Sequence, residues 1–261
     1  MSKVLSALFF RIKKQTIFWI LLALLVGLTL LDFYTYKAVI DSYQNLGVSA
    51  YIGELYSVAI FPIASATSYS VILSVIFVVL FFGADFSDGF IRNVVMSNKG
   101  RGQIFFSYFI ITALVSLVFV ATQTLVAVLC LALANGFKDV MLAEASTGIF
   151  SALAIGFVSC LGMSTLTLFS LMLFRKKTPT LIISLIVVIV LSPIVQVFVA
   201  LLEFVSEVSF DYEWIPFIQQ TLFDPLHRNV ELLAKIICVN TVLSAAFTVG
   251  GYFVFKHSQL K

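Results

Sequence analysis

Charge is what this sequence has least of. Only 11% of its 261 residues are Asp, Glu, Lys or Arg, where a soluble domain carries about 25%. Hydrophobic residues make up 61%, so nearly the whole chain is needed for apolar spans and no length remains for a separate soluble domain. Histidine is almost missing. His227 and His257 are the two present and neither belongs to an H-E-x-x-H, which argues against an intramembrane metalloprotease. No base at bilayer depth is available to a membrane serine protease. No G-x-x-x-x-G-K-[ST] occurs, so the usual loop that cradles ATP phosphates is missing. The three cysteines, Cys130, Cys160 and Cys238, fall inside apolar runs without metal-ligand spacing and read as buried thiols. No small-x-small cleavage site follows the first apolar run, which is therefore expected to stay as a permanent span. The net charge of +3 is spread over membrane faces and gives no reason to expect nucleic acid.

A further absence bears on mechanism. No Asp, Glu, Lys or Arg lies in the middle of an apolar run, and Asp32, Glu203 and Lys235 sit at run edges. Ion-coupled and proton-coupled transporters place ionisable groups near the midplane. Uphill transport by this chain would therefore draw its energy from a partner.

The apolar runs predict an all-α membrane protein with six transmembrane helices at about 17–34, 59–82, 104–134, 147–174, 180–202 and 233–255. Before them, residues 1–14 place Val4, Leu5, Leu8, Phe9 and Ile12 on one helical face, with Lys3, Arg11, Lys13 and Lys14 supplying positive charge. Such a helix is expected in the interface, its apolar face in the acyl boundary. Residues 37–56 read as a polar connection that accommodates an interfacial helix. Asn135-Gly136 predicts a helix stop, and Phe137–Ser146 a short loop. Thr178-Pro179 predicts an N-cap followed by proline at the first helical position. Pro193 predicts a kink inside the fifth span. Residues 203–232 are acidic yet rich in Phe, Trp and Ile, and Pro216 and Pro225 break them. They read as two short helices on or dipping into the outer interface.

Positive charge sets the expected orientation. Lys3, Arg11, Lys13, Lys14, Arg92, Lys99, Arg101, Arg175, Lys176, Lys177, Lys256 and Lys261 gather on one side, which is thereby cytoplasmic with both termini. Only Lys37, Lys138, Arg228 and Lys235 fall on the other. Asp85 and Asp88 are the only acidic residues on the cytoplasmic side.

The cytoplasmic loop at 83–103, GADFSDGFIRNVVMSNKGRGQ, is patterned. Phe86, Phe90, Val94 and Val95 recur at helical spacing, with Asp85, Asp88 and Arg92 off that stripe. An amphipathic helix there predicts a contact with something outside the membrane; an interfacial helix lying on lipid has the same pattern. Inside the spans the polar residues are mild, Gln123, Ser164, Gln196 and Asn240 among them. They fit either the lining of a substrate path or interhelical hydrogen bonds.

Six spans, a basic amphipathic start, a cytoplasmic loop after span two and an outer segment before span six resemble the ABC-2 type permeases, the membrane subunits of ATP-binding-cassette exporters. The loop resembles theirs in Asp85, Gly89, Arg92 and the run Ser97-Asn98-Lys99-Gly100-Arg101. It departs in having Asp85 for the usual glutamate and Ser107 for a lysine at the start of span three. The resemblance implies that residues 1–14 form an elbow helix and that Asp85–Val95 forms a coupling helix. Asp85, Phe86, Asp88, Gly89, Phe90, Arg92 and Arg101 would then contact a cytoplasmic ABC ATPase. It implies re-entrant helices at 203–232, and a second permease subunit, identical or homologous. The chain itself would hold no cofactor, ATP and Mg being bound by the ATPase. The substrate would be peptide or lipid-like, exported across a bacterial cytoplasmic membrane. Other functional classes remain: a non-transporting immunity or sensor protein that binds a membrane-active peptide, and, less favoured by the charge-free spans, a secondary transporter.

Overall fold

The computed structural model describes residues 2–45, 61–87, 100–135, 143–191 and 230–257. Among the described residues all regular structure is helical. The helices are α1 (Ser2–Lys14), α2 (Thr16–Asn45), α3 (Phe61–Ser87), α4 (Arg101–Asn135), α5 (Ala143–Phe174), α6 (Lys177–Leu185) and α7 (Val230–His257). Five of them, α2, α3, α4, α5 and α7, are long and apolar enough to cross a membrane. The chain is a multi-pass membrane protein.

Several boundaries differ from the sequence reading, each for a local reason. α2 does not stop near Tyr34 but runs on to Asn45, about 45 Å in all, because nothing between Tyr34 and Asn45 breaks a helix. α3 continues past Phe82 to Ser87, so the first five residues expected in the loop are helical. α4 begins at Arg101, where the Gly100 carbonyl accepts from the Gln103 N–H at 2.9 Å. It is described to Asn135; the stop expected at Asn135-Gly136 falls at the edge of the described residues. α5 starts at Ala143, inside the expected loop.

The turn between α5 and α6 is tighter than expected. Arg175 adopts φ 55°, and its N–H bonds to the Leu171 carbonyl at 2.9 Å, closing α5. Lys176 is then the N-cap of α6, so Thr178 is not the cap and Pro179 is its third residue, where a missing N–H is still harmless. Past Leu185 the helix widens to a π-helical turn, Ile186–Leu191, just before Pro193. Among the described residues the apolar stretch of α6 and this turn, Lys177–Ile189, is shorter than a span. The rest of the expected fifth span, with Pro193 and Gln196, lies outside the described residues, as do 46–60 and 192–229.

α3 is the central helix. Its spanning window is 67% buried, against 17% for α2 and 22% for α7. It packs on α2, α4, α5 and α6, while α5 also meets α4 and α7. Water does not drive helices together inside lipid, so packing and polar contacts must do it. Two devices are visible. The first is a chain of rings. Phe18 of α2 stacks on Phe119 of α4 with centroids 5.9 Å apart and meets Phe77 of α3 edge-on at 5.8 Å. Phe77 continues to Phe81 at 5.1 Å, Phe81 to Phe82 at 4.9 Å, and Phe82 to Tyr108 at 4.5 Å. Ring pairs of this kind each contribute about 0.5–1.5 kcal/mol beyond their buried area. The second device is small residues. A side chain at Gly251 of α7 would begin 3.1 Å from the Phe105 ring and 3.7 Å from the Phe169 backbone, so the bare backbone lets α7 close on α4 and α5.

α1 is amphipathic as expected, but its apolar face is turned to protein. Val4, Leu8 and Ile12 are buried in the same cluster as Phe77, Phe81 and Tyr108, while Phe9 and Phe10 stay exposed. Gln15 joins it to α2 through two tight bonds, its N–H to Ile12 C=O at 3.1 Å and Phe18 N–H to its own C=O at 3.2 Å.

Gly251→Val is expected to destabilise the folded bundle by about 1–3 kcal/mol, the usual effect of overpacking. Gly27→Ala, where nothing lies within 4 Å of the added methyl, is expected to leave stability unchanged or raised. Thermal unfolding of both variants in one detergent checks the contrast.

Candidate functional site

The charged ends of the helices gather at one end of the bundle. Arg11 of α1 donates to Asp85 of α3, Arg101 of α4 donates to the Lys256 carbonyl of α7 at 3.0 Å, and Gly83 of α3 lies against the stem of Lys177 of α6. This basic end thus collects the N-terminal helix, the close of α3, the start of α4, the α5–α6 turn and the close of α7. Arg101 also satisfies one of the final carbonyls of α7 and places a cation at the negative end of that helix.

At its centre is a buried carboxylate. Asp85 is 1% exposed, in the last turn of α3, and Arg11 holds one of its oxygens in an ion pair. The Tyr108 hydroxyl of α4 donates to the other oxygen at 2.9 Å. Arg11 is itself fixed twice more, its Nη2 donating to the Phe81 carbonyl at 3.4 Å and its guanidinium lying 4.8 Å above the Phe81 ring. A carboxylate removed from water needs partners for both oxygens, and here two other helices provide them. The result is a three-helix clamp of α1, α3 and α4.

Asp85, expected at the partner contact, is placed by the structure inside this clamp. Its carboxylate points into the bundle and is spent on Arg11 and Tyr108, so it is not presented to a docking partner. Phe86 likewise packs, partly buried, on the core cluster. Arg101 faces the end of α7. Asp88, Gly89, Phe90 and Arg92 lie outside the described residues. The structure therefore brings Asp85 together with Arg11 and Tyr108, residues the sequence reading had not joined to it. Arg11 had entered only as a positive charge, and Tyr108 not at all. The available signal was chemical: a lone acid directly after an apolar run, at the basic face, must find a cation.

Further into the bundle, Gln123, Ser164 and Asn240 lie in a buried polar layer. Ser164 of α5 shares hydrogen bonds with Ser74 of α3 at 2.8 Å and Ser116 of α4 at 3.2 Å. Cys160 of α5 donates to Ser74 Oγ at 3.1 Å and reaches the Ser70 carbonyl at 3.6 Å. Gln123 of α4 accepts the Ser70 N–H at 3.1 Å. Asn240 of α7 donates to Ile236 C=O at 3.0 Å and faces Gly162 of α5. All of these residues are buried, and none opens onto a surface. Gln123 and Ser164 bond from helix to helix, as bundle glue does. Among the described residues Gln123 Nε2, Thr124 Oγ1, Ser159 Oγ and Ser184 Oγ are buried without a hydrogen-bond partner. At the opposite end Tyr69 donates to Asp32 at 2.9 Å, tying α3 to α2 a second time.

Among the described residues no group of three His, Cys, Asp or Glu side chains could hold a metal. Compared with known families and proteins, the chain matches no family model and no curated protein.

Arg11→Ala is expected to cost about 3 kcal/mol of stability, the low end for breaking a buried pair because the Arg11 side is 31% exposed. Asp85→Asn, which keeps a hydrogen-bonding head, is expected to cost less. Unfolding in detergent ranks them, and equal stability of all three proteins would contradict the clamp. Ser164→Ala is expected to lose about 1 kcal/mol with its two interhelical bonds. A path-lining role would instead leave stability unchanged and alter the substrate handled.

Proposed function

We propose that the chain is the membrane-spanning permease subunit of an ATP-driven exporter in a bacterial cytoplasmic membrane. ATP and Mg would be bound by a separate cytoplasmic ATPase subunit, and a second permease subunit, identical or homologous, would complete the assembly. The sequence supports this reading: no Asp, Glu, Lys or Arg stands in the middle of an apolar run and no phosphate loop occurs, so a partner is the natural source of energy.

The observation that carries the proposal furthest is how the segment 88–99 is mounted. It is suspended between the end of α3, clamped at Asp85, and the start of α4, bonded to the end of α7. A force applied to the amphipathic residues Asp88, Phe90 and Arg92 would enter α1, α3, α4 and α7 together. That is the coupling a remote ATPase needs in order to move a bundle as rigid bodies and shifting helices. Within this reading Phe90 is the anchor and Asp88 and Arg92 are the polar contacts. Asp85 is a positioning residue that holds the mount. The substrate in this reading is amphipathic, peptide or lipid-like, as the resemblance implies.

The test is reconstitution with the ATPase that co-purifies. Asp88→Arg and Phe90→Glu are expected to lower ATP-dependent export at least about ten-fold, the effect of losing a hot-spot contact, while the permease stays folded. Export unchanged in both variants would sink the coupling assignment. Peptide resistance conferred by the chain without any ATPase would replace the proposal with a binding protein. Export that persists without ATP and collapses with the proton gradient would replace it with a secondary transporter.

A further inference from the structure

A cavity of about 270 Å³ opens on the flank of the bundle where α1, the start of α2 and the middle of α4 meet. Its walls include Phe9 and Ile12 of α1, Trp19 of α2, and Leu114 and Val118 of α4, all apolar. Lys13 is the one charged residue that lines it. It is exposed, as are Phe9, Trp19 and Val118, so the groove is accessible from the side. Two neighbouring cations are already engaged. Arg11 is held by Asp85, and Lys14 lies 4.7 Å over the Phe10 ring. The Trp19 indole N–H donates to the Lys13 carbonyl at 3.2 Å, which fixes the α1–α2 junction and with it the rim.

We propose that this groove binds one anionic phospholipid, its acyl chain in the slot and its phosphate on Lys13. The chemistry selects this occupant. An apolar slot of this size is unfavourable to fill with water, since its walls offer almost no hydrogen bonds. An exposed ammonium at the rim of an apolar groove suits a lipid phosphate better than a second apolar helix, because an anion can meet it at the headgroup level without burying it. The site also lies where an amphipathic basic helix turns into a spanning helix. That junction is at the level where headgroups give way to acyl chains, and Trp and Lys side chains are the usual anchors there. A bound lipid would fill the wedge between α1 and α4 and brace the helix that supplies Arg11 to Asp85. The proposal requires only that the chain is embedded in a bilayer, so it stands or falls separately from the ATPase partner.

The test uses Trp19 itself as the reporter, in full-length protein carrying Trp214→Phe. The protein is reconstituted into vesicles of phosphatidylcholine with increasing fractions of phosphatidylglycerol, either lipid brominated on its acyl chain. Quenching of Trp19 is expected to favour brominated phosphatidylglycerol by about five-fold, the factor for one lysine–anion contact at a membrane surface. Lys13→Gln is expected to abolish the preference, and Val118→Phe, which narrows the slot, to reduce it. Lys256→Gln, at the same basic end but away from the groove, is expected to keep it. Equal quenching by both lipids in the parent protein would overturn the proposal. So would a preference that survives Lys13→Gln, or one lost equally in Lys256→Gln, which would mark a general surface potential. Cross-linking of a cysteine at Val118 to a second copy, with Trp19 shielded from both lipids, would assign the groove to a subunit interface instead.

Discussion

One carboxylate constrains the basic end of this molecule. Asp85 ends the most deeply buried helix, and its own burial would be prohibitive without the Arg11 guanidinium and the Tyr108 hydroxyl. Meeting that requirement fixes three elements at once. α1 must lie where its third turn reaches α3, α4 must present Tyr108 two turns past its first residue, and α3 must extend to Ser87 so that Asp85 stays helical. The cation–π contact of Arg11 with Phe81 then joins the clamp to the ring chain that runs through Phe77, Phe18 and Phe119. Polar and aromatic order are continuous there.

The rest of the bundle solves a different problem. Between spans in lipid, apolar surface alone gives no preference for protein over hydrocarbon. The abundance of phenylalanine and the serine-rich interior both answer this. Rings interlock with specific geometry, and small hydroxyls let α3, α4 and α5 approach closely while bonding across Ser74, Ser116 and Ser164. Among the described residues, buried hydroxyls without partners stand on Thr124 of α4, Ser159 of α5 and Ser184 of α6. The layer is therefore buried and closely packed among the described residues, and a substrate route through it would require the helices to separate.

The two ends of the molecule then divide the work. The Tyr69–Asp32 bond pins α2 to α3 at one end, and the Asp85 clamp pins α1, α3 and α4 at the other. Helices joined at both ends tend to move as units, the property that the proposed coupling would use. A lipid wedged between α1 and α4 would act on the same clamp from its flank, so the bilayer and the proposed ATPase partner would converge on one node.

Hydropathy alone determined the membrane class and most helix positions, because a run of about 20 apolar residues has few alternatives to a spanning helix. The amphipathic character of α1 was likewise local, set by residues a few positions apart. Helix ends in charged stretches were not legible in the same way. The continuation of α2 to Asn45 and of α3 to Ser87 depends on the lack of a breaker and, at Asp85, on partners elsewhere in the chain. Periodicity shows that α1 has an apolar face but cannot say whether lipid or protein covers it. Gln123 and Ser164 read from sequence as either path or glue, and only the structure places Ser70, Ser74 and Ser116 opposite them. Asp85 is the clearest case. Sequence places it on a loop with its charge facing outward, and only tertiary structure joins it to a guanidinium 74 residues away. The reason is electrostatic: a charge at the edge of an apolar helix takes whichever compensation the fold brings nearest, and nothing in its own neighbourhood names that partner.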